Sequence, residues 1–322
     1  MSKLLIIIFS VLLFASCNQF TDSKTLYIAH TLNQKHPVHQ GIVAFQEALD
    51  SISNGKLKLK IFPDGQLGSE REVLELLQIG SIAMTKVSAA AMSNFAPEYK
   101  VLGVPYLFRD KKHMFDVLEG DIGKELMESS SAYLLKGVCF YNAGSRSFYT
   151  TKKPIKTPAD LKGQKIRVMN HQMSVDMVNT MGGSATPMSY GELYTALQQG
   201  VVDGAENNPP SFVSSNHYEV AKNYTIDEHS SIPDVVVIST KYWDSLTKTE
   251  QEWLTNASKI SVKAQKKYWD DSVEKCMKIL KDANVNIIRP DKSIFSASVS
   301  SLVENFTKDK KMKDLVAKIK AK

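Results

Sequence analysis

Cysteine is scarce in this chain. The 322 residues include three, Cys17, Cys139 and Cys276. If Cys17 carries a lipid, as argued below, a single pair remains. Cys139 and Cys276 could form a disulfide in an oxidising compartment, but Cys139 lies in a short apolar run with Val138 and Phe140, where a buried free thiol is the favoured interpretation. The sequence leaves the pairing open.

Metal-binding and catalytic motifs are also lacking. The sequence contains no HExxH motif, no zinc-ligand spacing, no GxSxG motif and no phosphate-binding glycine loop. A lyase or hydrolase acting on a sugar acid would have to use Glu70 and Glu206 as its acid and base. Such an enzyme stays open as the less favoured alternative, and we expect neither a metal nor a cofactor.

Basic blocks with interleaved aromatic residues, which nucleic-acid binding requires, are missing too. Lysine and arginine number 40 against 34 aspartates and glutamates, a formal net charge of +6. The basic tail, residues 308–322, has the pattern of an amphipathic helix with lysines in solvent. We therefore expect no nucleic-acid partner, whereas a mild positive charge suits a small anionic ligand.

The apolar run at the N-terminus is too short to remain as a membrane span. It covers residues 4–14, follows Lys3 and precedes Ala15, Ser16 and Cys17, the layout of a secretory signal. The small residues before Cys17 resemble a bacterial lipoprotein signal, although Phe14 stands where many such signals have leucine. We expect removal of residues 1–16, which takes the +6 charge down by the one on Lys3 to +5, and a periplasmic protein anchored by lipid on Cys17.

Strand-like and helix-like patterns alternate along the rest of the chain, which predicts an α/β architecture with mostly parallel sheets. Strands are predicted at 25–30, 56–62, 82–87, 201–207 and 235–240, and helices at 37–53, 70–79, 113–129, 190–199 and 247–283. Capping-box patterns begin the last two helices, at Ser189 with Glu192 and at Thr247 with Glu250. The last helix, approaching about 50 Å, is longer than one lobe needs and should bridge two. We assign lobe I to 24–144 plus 233–272 and lobe II to 145–232 plus 273–322.

The segment KGQKIRVMNH, residues 162–171, places an arginine inside an apolar strand. If Ile166 and Val168 face the packed side of a sheet, alternation directs Arg167 and Met169 to the other side. A buried guanidinium needs an anion, and its planar fork can hold both oxygens of a carboxylate. That carboxylate could belong to a ligand or to an internal salt bridge, and the segment alone does not decide between them.

Several landmarks occur together in a specific order: PDGQLGSERE (63–72), GVPYLF (103–108), the segments 144–170 and 185–210, and the long C-terminal helix. In this order the chain resembles, over essentially its full mature length, the DctP-like extracytoplasmic solute-binding proteins of tripartite ATP-independent periplasmic (TRAP) transporters. The resemblance implies a two-lobe fold of the class II periplasmic binding protein type, with a hinge and an interlobe cleft. It also implies a monomeric receptor, not an enzyme, that closes on an organic anion and delivers it to the membrane subunits.

The same resemblance implies the ligand-binding residues. From lobe II, Arg167 grips the ligand carboxylate, assisted by Arg146 and Asn207; from lobe I come His30, Glu70 and Ser88. We expect the two arginines to form a doubly cationic surface, and Asn207 both to donate to and to accept from a sugar hydroxyl. Each lobe I residue has a plainer interpretation. Glu70 could cap its helix, His30 could be a core histidine, and Ser88 could be ordinary strand-end polarity.

The resemblance also narrows the ligand. Sialate binders usually have asparagine at the position of His30 and glutamate at that of Ser88, and a dicarboxylate would need a second cation, for which Lys86 is the candidate. Segments 203–212 and 228–239 resemble members that bind sugar acids, particularly hexuronates such as glucuronate or galacturonate, or 2,3-diketogulonate. His229 and Tyr190 are expected at the rim or in a second layer, with Tyr190 either an aromatic surface for the sugar ring or simply packed.

Overall fold

The computed structural model describes residues 23–322, so the expected signal segment and Cys17 lie outside the described residues. The strands are β1 Lys24–Ala29, β2 Leu57–Phe62, β3 Met84–Ser88, β4 Leu135–Tyr141, β5 Arg146–Thr150, β6 Lys165–Val168, β7 Ser184–Pro187, β8 Gly204–Asn207, β9 Asn223–Ser230, β10 Asp234–Ser239 and β11 Asn286–Ile288. The helices are α1 Pro37–Ile52, α2 Glu70–Ile79, α3 Ala89–Met92, α4 Lys111–Leu118, α5 Asp121–Ser129, α6 Gln172–Thr180, α7 Leu193–Gln198, α8 Pro209–Ser214, α9 His217–Val220, α10 Thr240–Ser245, α11 Lys248–Asp282, α12 Lys292–Ser298, α13 Ser300–Phe306 and α14 Lys310–Ala321. Short 3-10 turns cover Pro97–Gly103, Ser130–Tyr133, Pro158–Leu161 and Tyr190–Glu192.

The strands form two sheets. The first has the order β2-β1-β3-β10-β4 and the second β11-β9-β5-β8-β6-β7. Five of the strand pairs are parallel and four are antiparallel, so the sheets are mixed rather than mostly parallel. The antiparallel pairs arise where the chain passes between the sheets, through residues 142–145 after β4 and residues 231–233 before β10.

The predicted helix α1 illustrates how local sequence specifies an element. Proline at its first position has the backbone angle that a helix needs, and the His36 ring accepts a hydrogen bond from the Val38 amide as the N-cap. The apolar residues at helical spacing, among them Ile42 and Phe45, are buried. The strand β2 alternates in the same predictable way, with Leu57 and Leu59 inward.

The long helix α11 spans both sheets, which confirms the prediction that the last helix bridges two lobes. Its capping box at Thr247 and Glu250 is present. Leu254 and Ala257 join the core under the first sheet, while Leu280 joins the core around Tyr149 of the second. One helix therefore packs against both hydrophobic cores. No helix within residues 23–322 is long and apolar enough to cross a membrane.

Two predicted helices differ from the structure. The single helix predicted at 113–129 is two helices, α4 and α5, which meet at a tight corner. A side chain at Gly120 would lie 2.8 Å from the carbonyl oxygen of Asp116, so the corner requires glycine. The capping box predicted at Ser189 is absent, because its side chain caps nothing and residues 190–192 form a 3-10 turn before α7.

The C-terminal helix α14 also corrects the assigned boundaries. We placed residues 273–322 with the second lobe, but α14 packs on the first-sheet side. Its Leu315 and Ile319 join the core that contains Tyr99. The His113 ring, whose Nδ1 accepts from the Arg109 amide, donates from Nε2 to the carbonyl of Ile319 at 2.9 Å. Both Cys139 and Cys276 are free thiols.

Candidate functional site: a cleft between the two sheets

A cavity of about 710 Å³ lies between the two sheets, a size typical of small-molecule sites. Residues from both sheets line it. Of the residues predicted for the site, those that line it are Glu70, Lys86, Ser88, Arg146, Arg167, Met169, Tyr190 and Asn207. His30 and His229 do not.

Arg167 is buried in this cleft and has no carboxylate partner within residues 23–322. It lies in β6, where Ile166 and Val168 pack on one side as expected. Its Nε and Nη2 both donate to the backbone carbonyl of Met188, at 3.0 and 2.7 Å, whereas Nη1 is buried and has no partner within residues 23–322. Burial lowers the pKa of Arg167 below its ordinary value, but a guanidinium stays charged. The internal salt bridge left open by the sequence does not form among the described residues.

Arg146, unlike Arg167, has a carboxylate partner, Glu206. The prediction that the two arginines form a doubly cationic surface is therefore wrong. Its Nη2 donates to Glu206 Oε1 at 2.9 Å and to the Glu206 carbonyl at 2.8 Å, and its Nε donates to Glu206 Oε2. Glu206 lies beside Arg146 but does not line the cleft, and the two residues meet because β5 and β8 are antiparallel neighbours. Burial raises the pKa of Glu206, but Arg146 and His229 together outweigh burial and hold it at about 2, so the carboxylate is ionised.

His229 lies behind this pair and not at the rim. It is fully buried on β9, with Nδ1 2.7 Å from Asp227 Oδ2 and Nε2 3.4 Å from Glu206 Oε2. Burial opposes protonation, but the two carboxylates outweigh it and raise the pKa of His229 to about 9. Asp227, His229, Glu206 and Arg146 therefore form a charge network with two positive and two negative groups. The network leaves no excess charge on Arg146.

Asn207 can donate to a ligand but cannot also accept, contrary to expectation. Its Oδ1 already accepts from Arg146 Nη1 at 3.0 Å and from the Asn208 backbone and side-chain nitrogens at 2.9 and 3.0 Å. Since the oxygen is identified by these three donors, the other side-chain atom is the NH₂ group, which makes no hydrogen bond within residues 23–322. Arg146 therefore orients Asn207 as a donor toward the cleft.

The first-sheet side contributes a second charged group, the Lys86 cluster, consisting of Lys86 and Asp234 on the sheet and Glu70 on helix α2. Lys86 Nζ lies 3.2 Å from Asp234 Oδ2 and 3.6 Å from Glu70 Oε1. Burial opposes the charge on Lys86, but the two carboxylates outweigh it and raise its pKa. Ser88, paired with Asp234 across β3 and β10, donates its backbone N–H to Glu70 Oε1 at 3.0 Å. Glu70 does not cap its helix, because Ser69 and Glu72 form that capping box.

The histidines near the start of α1 differ from the prediction. His30 is buried behind the cleft, with Nδ1 accepting from the Leu32 amide and Nε2 donating to His39. Burial, with Lys86 adding, lowers the pKa of His30 to about 2, so its ring is neutral. His36 lines the cleft in its place and lies 3.1 Å from Ser211 Oγ of α8, across from the first sheet. The core interpretation of His30 is therefore the one the structure supports.

Tyr190 packs against Arg167 through its ring and is held to Ser215 by its hydroxyl. The Arg167 guanidinium carbon lies 5.8 Å from its ring centroid, within the range of cation–π attraction. Its hydroxyl lies 2.7 Å from Ser215 Oγ. Tyr190 also lines the cleft, so the two interpretations of this side chain are compatible.

Sequence reasoning missed three groups that shape the cleft: Glu206 as the partner of Arg146, Asp234, and His36. Glu206 lies in the landmark segment 185–210, but only the pairing of β5 with β8 places it beside Arg146. Asp234 follows Pro233 at the start of β10, and nothing local marks it as the partner of Lys86. Within residues 23–322 no group of three or more histidine, cysteine, aspartate or glutamate side chains is arranged to hold a metal.

The cations of the lining are all paired with carboxylates except one. Arg71 is exposed at the rim and donates to Glu75 at 2.9 Å. Arg146 pairs with Glu206, and Lys86 with both Asp234 and Glu70. Among the described residues, Arg167 is the lining cation that lacks a carboxylate. In the part of the chain that the structure describes, its one accepting partner is the Met188 carbonyl, and Nη1 has no acceptor.

Comparison with known proteins agrees with this geometry. The model of a family described as bacterial extracellular solute-binding protein, family 7 (DctP), matches residues 28–309. The chain belongs to this family. The expected two-lobe α/β fold and the role of a TRAP solute-binding receptor are thereby confirmed.

Solved structures of DctP-family TRAP proteins resemble this one closely. A TRAP periplasmic solute-binding protein from Bradyrhizobium sp. BTAi1, complexed with α/β-D-galacturonate, is 39% identical, with a TM-score of 0.91 over 93% of this chain and 100% of that one. One from Xanthobacter autotrophicus, with bound β-D-galacturonate, is 38% identical, with a TM-score of 0.89 over 92% and 99%. One from Anaerococcus prevotii, with bound α/β-D-glucuronate, is 32% identical, with a TM-score of 0.90 over 93% and 98%.

Two relatives from other bacteria extend the comparison. The uncharacterized protein YiiZ of Salmonella typhimurium is 35% identical over 95% of this chain and 94% of its own length. The 2,3-diketo-L-gulonate-binding periplasmic protein YiaO of Escherichia coli is 30% identical over 89% of this chain and 88% of its own. The DctP-family chain is thus similar to receptors for more than one sugar acid.

Proposed function

We propose that this protein is the TRAP receptor for a hexuronate, galacturonate or glucuronate, which it delivers unchanged to the membrane subunits. The observation that carries the proposal is the buried Nη1 of Arg167, a charged donor in the cleft without a partner within residues 23–322. A carboxylate would accept from it, and a buried charge-assisted hydrogen bond of this kind is strong. The uronates bound by the similar structures have this carboxylate and a ring of hydroxyls.

The distribution of donors and acceptors across the cleft suits such a ligand. The second sheet offers donors, Arg167 Nη1 and the Asn207 amide, whereas the first offers the carboxylates of the Lys86 cluster. A uronate has a carboxylate that can accept from the donors and hydroxyls that can donate to the carboxylates. Because the two sets lie on different sheets, only a closed cleft makes all contacts, and that difference in affinity favours closure.

An enzymatic role is not proposed, for a physical reason. Burial raises the pKa of Glu206, but Arg146 and His229 together lower it to about 2. The carboxylate is therefore ionised and cannot serve as a general acid at neutral pH. Glu70 is engaged by Lys86 and the Ser88 amide. We therefore expect a uronate to be recovered unchanged after prolonged incubation with the protein.

The proposal includes the location and state of the receptor. Residues 1–16 are removed, Cys17 carries the lipid anchor, and the protein acts as an extracytoplasmic monomer. The apolar run followed by Ala15, Ser16 and Cys17 supports this. The intact mass of the protein extracted from membranes checks the lipid on Cys17.

Titration calorimetry tests the ligand class. The panel contains galacturonate, glucuronate, gluconate, 2,3-diketogulonate, sialate and succinate, and we expect a uronate to bind best. Arg167→Ala should weaken uronate binding by about 100-fold or more, since removing one partner of a buried charge pair costs about 2–5 kcal/mol. Arg289→Ala, an exposed arginine outside the cleft, is the control and should leave the affinity unchanged.

Arg146→Ala should behave differently from Arg167→Ala. It should reduce affinity less and stability more, because it leaves Glu206 buried without its cation, a loss of about 3–5 kcal/mol. Equal and small losses of affinity from both substitutions would contradict the assignment. A panel without any binding would defeat the proposed function.

A further inference from the structure

The Lys86 cluster carries an excess negative charge. One ammonium, on Lys86, lies between two carboxylates, at 3.2 Å from Asp234 and 3.6 Å from Glu70. Burial raises the pKa of Asp234 and Lys86 opposes it, which places the pKa at about 6, so Asp234 is ionised at slightly alkaline pH. Asp234 is 6% exposed, and it lines the cleft.

Each carboxylate in the cluster has one oxygen that the protein does not use. Asp234 bonds Lys86 through Oδ2, and Glu70 bonds Lys86 and the Ser88 amide through Oε1. The remaining oxygens, Asp234 Oδ1 and Glu70 Oε2, make no hydrogen bond within residues 23–322. Ionised carboxylate oxygens only accept hydrogen bonds, so a hydroxyl suits them and a second carboxylate does not.

The rest of the lining does not compensate this charge. Arg146 is neutralised by Glu206, and Arg71 bonds Glu75 at the rim. His36 is buried, and burial, with Lys86 adding, lowers its pKa well below its ordinary value, so its ring is neutral. Asp64, Glu72 and Glu192 also line the cleft and add carboxylates. On the first-sheet side, therefore, no described cation remains for a second anionic group.

We propose that Asp234, held against Lys86 together with Glu70, is a specificity-determining residue that restricts the cleft to monoanionic polyhydroxy acids and rejects diacids. The inference rests on the proposed function, because it places the single carboxylate of the ligand on Arg167. The far end of the ligand then reaches the Lys86 cluster. A hydroxyl there donates to Asp234 or Glu70, whereas a carboxylate meets like charge.

Matched pairs of ligands test this directly. Galacturonate and galactarate share a carbon chain and differ at one end, where galactarate has a second carboxylate; gluconate and glucarate form a second pair, and succinate is a short diacid. Affinities are measured by titration calorimetry at about pH 8, where Asp234 is ionised, its pKa being about 6. The wild-type protein should bind each monoacid about 100-fold more tightly than its diacid, because the second carboxylate of the diacid meets like charge.

Asp234→Asn is the decisive variant, because it keeps the shape and removes the charge. It should weaken the monoacid and strengthen the diacid, so that the ratio of the two affinities falls by about tenfold or more. Asp271→Asn, which removes the same charge from an exposed position on α11, is the control and should leave the ratio unchanged. Glu70→Gln is the second variant, and it should shift the ratio in the same direction if Asp234→Asn proves unstable in a thermal melt.

The outcomes separate the two proposals. Equal affinity of the wild type for a monoacid and its diacid would overturn this inference while leaving a sugar-acid receptor in place. The inference would also be overturned if neither Asp234→Asn nor Glu70→Gln changed the ratio of monoacid to diacid affinity. If the uronates fail and gluconate binds, the hexuronate assignment is wrong, and the gluconate–glucarate ratio still decides the role of Asp234. If none of the acids binds, both proposals are wrong.

Discussion

Single residues in the cleft show how two buried arginines acquire different roles. Arg146 belongs to the charge network with Glu206, His229 and Asp227, whose positive and negative groups balance. Arg167 has a backbone carbonyl as its partner and keeps its charge available. We therefore expect removal of the first to disturb the fold and removal of the second to weaken the proposed ligand binding. Arg146 also orients Asn207 by donating a hydrogen bond to its side-chain oxygen.

The charge network predicts a pH dependence of stability. Burial opposes protonation of His229, but Asp227 and Glu206 raise its pKa from 6.5 to about 9 in the folded state. The folded protein thus keeps a proton that the unfolded chain loses above its pKa of 6.5. The stabilisation is complete below that pH and is lost as the pH rises through about 9, a change on the order of 3 kcal/mol.

Urea unfolding at several pH values between about 6 and about 9.5 measures this change. The free energy of unfolding of the wild type should decline with rising pH across that window. His229→Gln removes the titrating group, so its profile should be flatter and lower at neutral pH. A wild-type profile as flat as that of His229→Gln would contradict the assigned protonation of His229.

The sequence predicts some of these residues and not others, because their partners come from distant segments. Arg167 could be predicted, since a charged residue between Ile166 and Val168 has no local explanation. Glu206 and Asp234 could not be placed, because each reaches its cation through antiparallel strand pairing that local patterns do not show. For the same reason Lys86 was predicted as a free cation, although Asp234 and Glu70 neutralise its charge.

Among the elements, helix α11 does more than connect the two cores. Gln265 on this helix donates from Nε2 to the carbonyl of Asn142 at 2.8 Å and accepts from the Asn142 amide at 2.9 Å. These are the buried backbone groups at which β4 ends and the passage to the second sheet begins. Next to them Gly144, with a φ of +60°, packs on Trp269 of the same helix. The helix therefore holds the connection between β4 and β5.

Gln265→Ala should lower the free energy of unfolding by about 2–4 kcal/mol, since it leaves a buried amide and a buried carbonyl without partners. Chemical denaturation measures the loss. Lys267→Ala, at an exposed position of the same helix, should change stability by less than about 0.5 kcal/mol. Similar, small effects from both substitutions would show that Gln265 does not hold the connection.

Element boundaries could be predicted where the local signal was strong. The long helix and α1 begin at residues with cap or proline signals that the structure retains. The prediction at 113–129 was wrong because apolar periodicity continues across Gly120, whereas the corner there depends on backbone contacts with the preceding helix. The capping box predicted at Ser189 was wrong. The Tyr190 ring packs against Arg167, a tertiary contact that the local pattern does not show, and the Ser189 side chain makes no cap.

At the level of the whole molecule, contacts across the cleft join the two sheets away from their covalent connections. Asn33 donates to the carbonyl of Ser214 at 2.6 Å, and Asn94 donates to the carbonyl of Asn170 at 2.7 Å. The lobe boundaries that we assigned stay a proposal, except that α14 returns to the first-sheet side. Sequence patterns could not predict that return, because the amphipathic face of α14 fits a core on either side.

One contact across the molecule is tight enough to test closure. A side chain at Gly103 would lie 2.2 Å from Cε1 of His171, which precedes α6. Gly103→Ala therefore forces either the His171 ring or the whole second-sheet side to move away. If binding requires the two sides to approach, the substitution should weaken uronate binding by about tenfold, since part of the binding energy is spent on the displaced contact.

The His171 ring supplies the matched control for Gly103→Ala. His171→Ala removes the obstacle, so the double variant Gly103→Ala with His171→Ala should bind more tightly than Gly103→Ala alone, a coupling that a double-mutant cycle measures. Small-angle scattering should show a smaller decrease of the radius of gyration on ligand addition for Gly103→Ala than for the wild type. Independent, additive effects of the two substitutions would mean that this contact does not limit closure, and that the approach of the two sheets depends on the contacts of Asn33 and Asn94 instead.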